Sequence, residues 1–159
     1  MDAASLALFG VAISSGLASI GSSLGSGAAA SSATGLLAKE PEKFPQALVL
    51  TALPSSQALY GLLYGIIILL QTGLLNGKLK AGVTEEIGMQ FLASALPVGI
   101  ACLISGWFQG MVAGAGMRII AEKPQNLNQA IVLAALLESF AIFGLIISIL
   151  IAFVGIKIS

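Results

Sequence analysis

The chain alternates between long apolar stretches and short polar interruptions. Four stretches, 3–38, 44–77, 87–117 and 124–156, contain a single Asp, Glu, Lys or Arg, which is Glu138. About 20 consecutive apolar residues suffice for a helix to cross the hydrocarbon core of a bilayer. The pattern therefore predicts an all-α integral membrane protein with four transmembrane helices.

The polar interruptions arrange the four helices as two tandem hairpins, because proline, glycine and asparagine in these segments end helices and form turns. The first hairpin is predicted to cover residues 1–76 and the second 84–159. Their helices are predicted at about 4–38 and 45–75, and at about 85–121 and 126–157.

The two hairpins resemble each other in sequence. A shift of 83 positions aligns residues 41–67 with 124–150 and gives 12 identities in 27, among them Pro41 with Pro124 and Gly61 with Gly144. We interpret the chain as a duplicated hairpin. Both copies insert in the same direction, because an even number of spans separates them.

Composition excludes several classes of protein. The chain has a net charge of +0, no His and one Cys. A nucleic-acid-binding surface needs clustered basic residues, the usual zinc sites need several His or Cys, and an internal disulfide needs two Cys. The spans also leave no length for a soluble catalytic domain. We therefore expect no nucleic acid partner, no organic cofactor and no enzymatic activity of the chain alone.

The basic residues give a weak signal for orientation in the cell membrane. Four of them lie in or beside the loops 39–44 and 122–126, and three lie in the middle loop and at the C-terminus. Because cytoplasmic loops carry an excess of Lys and Arg, the two loops are predicted to be cytoplasmic and both termini to lie outside.

Small residues recur at helical spacing on the first and third helices. Such stripes let helix backbones approach closely inside a membrane. They predict close helix packing and self-assembly into a ring. The packing residues singled out are Gly16, Gly27, Gly106 and Gly110.

Glu138 is the clearest functional candidate. It lies near the middle of the fourth apolar stretch, where a charged side chain costs about 2.5–3.5 kcal/mol on insertion scales. Ionisable residues at such positions usually bind or move ions. A protonated acid that only bonds a neighbouring helix is the simpler alternative.

Other polar groups can join Glu138. Leu53, Ser56, Gln57 and Tyr60 share one face of the second helix, and Gln109 lies on the third. Pro54 has no amide hydrogen, so local backbone oxygens become available. If these faces converge, a carboxylate, two amides, a hydroxyl and a backbone carbonyl surround one point. Oxygen ligands of this kind suit a hard cation, whereas a proton needs only the carboxyl and its neighbours.

These residues carry a resemblance to a known family. The run Leu53-Pro54-Ser55-Ser56-Gln57-Ala58-Leu59-Tyr60-Gly61, the pair Gln109-Gly110 and the run Leu137-Glu138-Ser139-Phe140-Ala141 look like the proteolipid ring subunit (known as K or c) of bacterial V-type rotary ATPases. The likeness covers essentially the whole chain and is closest to the sodium-pumping members.

The resemblance implies a ligand set for one Na⁺. It consists of the backbone oxygen of Leu53, the side chains of Ser56, Gln57 and Gln109, and the carboxylate of Glu138. Tyr60 is implied to donate a hydrogen bond to that carboxylate. Ser56 stands where threonine is usual in the family, which keeps the hydroxyl but leaves the affinity open. H⁺ is the alternative ion.

The resemblance also implies partners. The protein is expected to form a homo-oligomeric ring in the lipid bilayer, to be turned through central stalk subunits, and to carry its ion past a stator subunit whose arginine faces the ring.

Two other classes of protein share some of these features. A small four-helix drug–proton antiporter also has a lone buried acid, but such proteins tend to place it early and to line a pocket with aromatic residues. A structural four-span protein without transport would leave Glu138, Gln57 and Gln109 unexplained.

Overall fold

A computed structural model describes residues 1–158, so that Ser159, the last residue of the predicted second hairpin, lies outside it. The described residues are all-helical with four long apolar spans, as predicted. The spans are Ala3–Leu37, Pro41–Thr72, Glu85–Glu122 and Pro124–Gly155.

The first and third spans are unbroken α-helices, α1 (Ala3–Leu37) and α4 (Glu85–Glu122). The second and fourth spans are each interrupted. The second consists of α2 (Phe44–Ala52), a 3₁₀ turn (Leu53–Ser55) and α3 (Ser56–Thr72), and the fourth of α5 (Leu127–Ala135), α6 (Glu138–Leu150) and a π turn (Ile151–Gly155).

Local signals account for the helix ends. An oxygen of Asp2 accepts a hydrogen bond from the Ser5 backbone at 2.8 Å, which caps α1, and hydrogen bonds from Ser5 lower the pKa of the Asp2 carboxyl. The second span was predicted to reach residue 75 but ends at Thr72, because Gly73 adopts a left-handed conformation with φ of 83° that stops the helix.

The first and third spans pack against each other more closely than any other pair. A Cβ on Gly25 would overlap the carbonyl of Gly106, and one on Gly110 would overlap the backbone of Gly25. Gly106 and Gly110 therefore lie where the backbones of the first and third spans approach closely. Gly25 and the neighbouring Gly21 supply the complementary surface on α1.

Gly16 and Gly27 do not pack within the subunit, and their part in ring assembly stays a prediction. A Cβ on either residue would meet no atom within 4 Å. They lie on the face of α1 turned away from the rest of the subunit, so they take no part in packing within the described chain.

Each hairpin is packed in the same way. Gly61 of the second span approaches the Ser14 carbonyl and the Ala18 side chain of the first, and Gly144 of the fourth approaches the Pro97 carbonyl and Ala101 of the third. Each pair of contacts is related by the same 83-residue shift as the sequence repeat. The duplication is thus visible in the packing.

The outer surface is strongly apolar. Leu59 and Phe140, on the second and fourth spans, are 63% and 60% exposed. Large apolar side chains in such numbers would be costly to hydrate, and hydrocarbon or neighbouring apolar helices cover them without that cost. This surface agrees with a membrane location.

A buried lysine joins the two hairpins at one end of the bundle. Lys43 forms an ion pair with Glu40 at 2.5 Å, and its Nζ donates a hydrogen bond to the carbonyl of Ala121 at 2.6 Å. That carbonyl lies at the C-terminus of α4, where a cation is favoured by the helix dipole.

Candidate functional site

The site is built on the interruption of the second span. Pro54 has no N–H, so the α-helical pattern fails and Leu53–Ser55 forms a 3₁₀ turn, in which the backbone N–H of Ser56 bonds the Leu53 carbonyl. The Ser56 hydroxyl donates to the same carbonyl at 3.1 Å. Two predicted ligands, the Leu53 oxygen and the Ser56 hydroxyl, therefore lie side by side.

The two predicted amides also meet. Nε2 of Gln57 donates to Oε1 of Gln109 at 2.6 Å, and both side chains are completely buried. The Ser56 hydroxyl lies 3.4 Å from Oε1 of Gln57. Each amide oxygen keeps a second lone pair, so the pair presents two oxygens that can take a further partner.

Glu138 lies at the edge of this group. The Tyr60 hydroxyl donates to its Oε1 at 2.6 Å, which links the second span to the fourth. The Glu138 side chain is half-buried, whereas the amides are fully enclosed. The carboxylate thus lies between the packed interior and the outer surface of the bundle.

The predicted residues form two hydrogen-bonded groups across the three spans. One group contains Leu53, Ser56, Gln57 and Gln109, and the other contains Tyr60 and Glu138. In the described part of the chain no hydrogen bond joins the carboxylate to either amide, and Nε2 of Gln109 is buried without a partner. A buried unpaired donor costs about 1–3 kcal/mol. The site therefore lacks an acceptor for Gln109 in this conformation.

The chemistry of the site is that of one carboxylate among neutral oxygens. Within residues 1–158 no three His, Cys, Asp or Glu side chains come together. The arrangement offers a single negative charge and several dipoles, which matches a monovalent cation or a proton better than a transition metal.

An interruption of the fourth span was not predicted. The α-helix stops at Ala135 and restarts at Glu138, although this span has no proline at the break. The signal was present in the repeat, because Pro54 and Ser55 align with Leu137 and Glu138. Glu138 is therefore the first residue after the break in the fourth span, and this break is the repeat equivalent of the turn that interrupts the second span.

One serine that contacts the site turn, Ser22, was also missed. Ser22 bonds the backbone of the second span at Pro54 and Ala58, and Ser105, its equivalent in the repeat, is buried with an unpartnered hydroxyl. Serines are so frequent on α1 that no sequence pattern separated Ser22 from its neighbours.

An open apolar pocket of about 390 Å³ lies beside the fourth-span break. Its walls come from the third and fourth spans. They are Ala101, Ile104, Ser105, Phe108, Leu137 and Phe140.

Comparison with known proteins agrees with this architecture. The family model for the C subunit of ATP synthase matches the chain twice, over residues 9–68 and 92–151. The two matches start 83 positions apart, which is the offset of the repeat.

Similar proteins include ion-translocating ATPase subunits of several kinds. The chain is 39% identical to the V-type sodium ATPase subunit K of Enterococcus hirae, over 82% of this chain and 80% of that one. It is 40% identical to the A-type ATP synthase subunit K of Methanocaldococcus jannaschii, over 91% of this chain and 62% of that one. It is 27% identical to the 16 kDa proteolipid of the V-type proton ATPase of Mus musculus, over 77% of each.

Proposed function

Since the chain belongs to the ATP synthase C-subunit family and is a proteolipid rotor subunit of the V/A type, we propose that it binds one Na⁺ at Glu138 and carries it across the membrane as its ring turns. Membership decides between the rotor and the drug–proton antiporter in favour of the rotor. The chain is a non-catalytic component, and ATP hydrolysis belongs to the ATPase as a whole.

The observation that carries the choice of Na⁺ is the buried amide pair. A proton on Glu138 needs only the carboxyl and a partner such as Tyr60. Two fully buried glutamine side chains are costly unless their polar atoms are used. Their free oxygen lone pairs, with the Leu53 carbonyl and the Ser56 hydroxyl, supply the neutral ligands that a desolvated sodium ion requires.

Charge balance explains how the loaded site crosses a lipid-facing position. Na⁺ and one carboxylate sum to zero, so the occupied site avoids the cost of an isolated charge in hydrocarbon. The empty carboxylate needs a cation in place of the ion. In this proposal the arginine of the stator subunit supplies that cation, displaces Na⁺ and pairs with Glu138.

Rotation and transport are then coupled because the stator gives each ion site access to only one side of the membrane at a time. Each ring member releases its ion where the stator opens a path to one side of the membrane and reloads where a path leads to the other. Central stalk subunits transmit torque from the ATP-hydrolysing head to the ring. Each step moves one site, because the chain has one such carboxylate.

The absence of an acid at the first-hairpin equivalent of Glu138 bears on whether the ATPase pumps ions or makes ATP. Ser55 stands where the repeat places the equivalent of Glu138. A ring with one acid per four helices moves fewer ions per turn than one with an acid in every hairpin, so each ATP supports a larger ion gradient. This favours operation as a pump.

Orientation forms part of the proposal. The loops at 39–44 and 122–126 face the cytoplasm, and the termini face outside. Glu42 is exposed in the first of these loops. In a Cys102→Ala background, Glu42→Cys should resist a membrane-impermeant maleimide added to intact cells and react in inverted vesicles. The reverse result contradicts the orientation.

The ion is tested by carbodiimide labelling of Glu138 in purified rings. The reagent attacks the protonated carboxyl, while bound Na⁺ keeps it ionised. We expect Na⁺, but not choline at the same ionic strength, to protect Glu138 near neutral pH. The half-protecting Na⁺ concentration should rise as the pH falls, because protons compete for the same carboxylate.

Labelling that follows pH and ignores Na⁺ at every concentration would contradict the proposal for Na⁺. H⁺ would then be the transported ion, and the rotor assignment would be unaffected.

A further inference from the structure

The hydroxyl of Ser22 is inserted into the backbone of the second span. Its Oγ donates a hydrogen bond to the Pro54 carbonyl at 2.7 Å and accepts one from the Ala58 N–H at 2.8 Å. Ser22 is 7% exposed, so it is shielded from exchange with bulk water.

This geometry replaces one bond of the helix. In a regular α-helix the N–H of residue 58 would bond the carbonyl of residue 54 directly. Here the Ser22 hydroxyl bridges the same two groups and satisfies both. A side chain placed between a helical donor and its acceptor holds that turn open.

The turn held open is the one that carries the predicted ligands. Ser56 and Gln57 lie between Pro54 and Ala58, and Leu53 directly precedes Pro54. If the direct bond re-formed, the turn would tighten and the side chains of Ser56 and Gln57 would rotate relative to the third span.

Close packing holds Ser22 in place. A Cβ on Gly25 would lie 2.9 Å from Cβ of Pro54, and one on Gly61 would overlap the Ser14 carbonyl. The first and second spans are therefore in contact on both sides of Ser22, which fixes the position of its backbone relative to the second span.

We propose that Ser22 is a positioning residue that keeps the second-span turn open at the separation the ion ligands require. It does not itself bind the ion. The expected effect on Na⁺ affinity rests on the proposed sodium site. The expected effect on the second-span turn rests only on the hydrogen bonds of Ser22.

The repeat provides a matched control. Ser105 is the equivalent of Ser22 in the second hairpin and is also buried, but its hydroxyl has no partner among the described residues. Removing the Ser105 hydroxyl deletes an oxygen at the repeat equivalent of Ser22 without leaving a backbone group unbonded. Ser22→Ala and Ser105→Ala therefore differ mainly in the bridged turn.

The experiment compares these two variants with the wild type as assembled rings. First, the Na⁺ concentration that half-protects Glu138 from carbodiimide is measured at one pH. Ser22→Ala should raise it about tenfold, the effect of misplacing one or two ligands, and Ser105→Ala should leave it within about twofold. Second, electron cryomicroscopy of both rings gives the separation of the Pro54 oxygen from the Ala58 nitrogen. In Ser22→Ala it should fall to about 3 Å, a direct helical bond.

The two readouts separate the proposals. If the wild type shows no protection by Na⁺, the sodium site is wrong and the Pro54–Ala58 separation alone decides the role of Ser22. If the wild type is protected but Ser22→Ala matches it in both affinity and separation, the positioning role is overturned. Should Ser22→Ala rings fail to assemble, Ser22→Cys, whose thiol is a weaker hydrogen-bonding group, takes its place and should show a smaller shift of the same sign.

Discussion

The two hairpins of this protein share a backbone plan and differ in chemistry. In each hairpin the first span is continuous and the second is interrupted, with the break at Leu53–Ser55 in one hairpin and just before Glu138 in the other. At equivalent positions the first hairpin has Gln57 and Tyr60, and the second has Phe140 and Phe143.

The difference shows how a duplicated fold divides one site between its copies. The second span supplies a hydroxyl, an amide and a backbone carbonyl, the third supplies Gln109, and the fourth supplies the charge. The repeat equivalent of Gln109 is Ser26, and that of Glu138 is Ser55. Neither hairpin contains all of the proposed ligands, so the proposed site depends on the contact between the two hairpins.

The largest expected effect follows from removing the acid. Glu138→Gln should reduce ATP-driven ²²Na⁺ uptake by reconstituted ATPase to background, because no other acid lies within the four apolar stretches. Ser55→Gln, at the equivalent position, should retain transport. Uptake that survives Glu138→Gln would contradict the site.

Transferring the acid should not rescue transport. The double variant Glu138→Ser with Ser55→Glu places a carboxylate at the equivalent turn, but Phe140 and Phe143 stand where Gln57 and Tyr60 would be needed. Restored uptake in this variant would show that the neutral ligands are dispensable.

Assembly provides the next largest effect. Within one chain Gly25 contacts Gly110. If the 83-residue shift also relates neighbouring subunits of a ring, the corresponding contact is expected to join Phe108 of one subunit to Gly27 of the next. Both positions are free within the subunit, since a Cβ on Gly27 would meet no atom within 4 Å and the Phe108 ring is half-exposed.

Gly27→Leu should therefore abolish ring formation and leave membrane insertion intact, as judged by mass in mild detergent. Phe108→Ala in the same chain should partly restore the ring. Gly25→Leu should instead disrupt the subunit itself, since its side chain would overlap Gly106. Normal rings from Gly27→Leu would contradict this interface.

A smaller effect is expected from one ligand. Gln109→Ala should raise the half-protecting Na⁺ concentration about tenfold, because water must replace an amide oxygen in a desolvated site. Gln71→Ala removes an amide near the far end of the second span, which also carries Gln57, and should leave Na⁺ protection unchanged. Equal effects from the two variants would point to general destabilisation.

The smallest effect concerns two tyrosines one helical turn apart. The Tyr60 hydroxyl bonds Glu138, and the buried Tyr64 hydroxyl bonds Ser94, each at 2.6 Å. Tyr60→Phe should weaken Na⁺ protection several-fold. Tyr64→Phe should instead lower the stability by about 1 kcal/mol and leave Na⁺ protection unchanged. Measured protection and thermal stability of the rings distinguish the two, and a reversed pattern would remove Tyr60 from the site.

The amino-acid sequence by itself determined the four spans and the duplication, and it indicated the candidate members of the site. Hydrocarbon thickness makes span length readable from apolar runs. Glu138 is the single Asp, Glu, Lys or Arg of the four apolar stretches, and Gln57 and Gln109 are the glutamines farthest from the ends of theirs. The repeat could also have placed the break before Glu138, because equivalent positions share backbone conformation.

Only the tertiary structure decided which small residues face inwards and which hydrogen bonds form. The first span carries glycine and serine on every face, so its sequence did not distinguish Gly25, packed against Gly106, from Gly27, which is open. The same abundance hid Ser22 among similar serines. A partner for a hydroxyl is set by the rotation and separation of whole helices, which local sequence does not encode, and close packing at a few glycines fixes both.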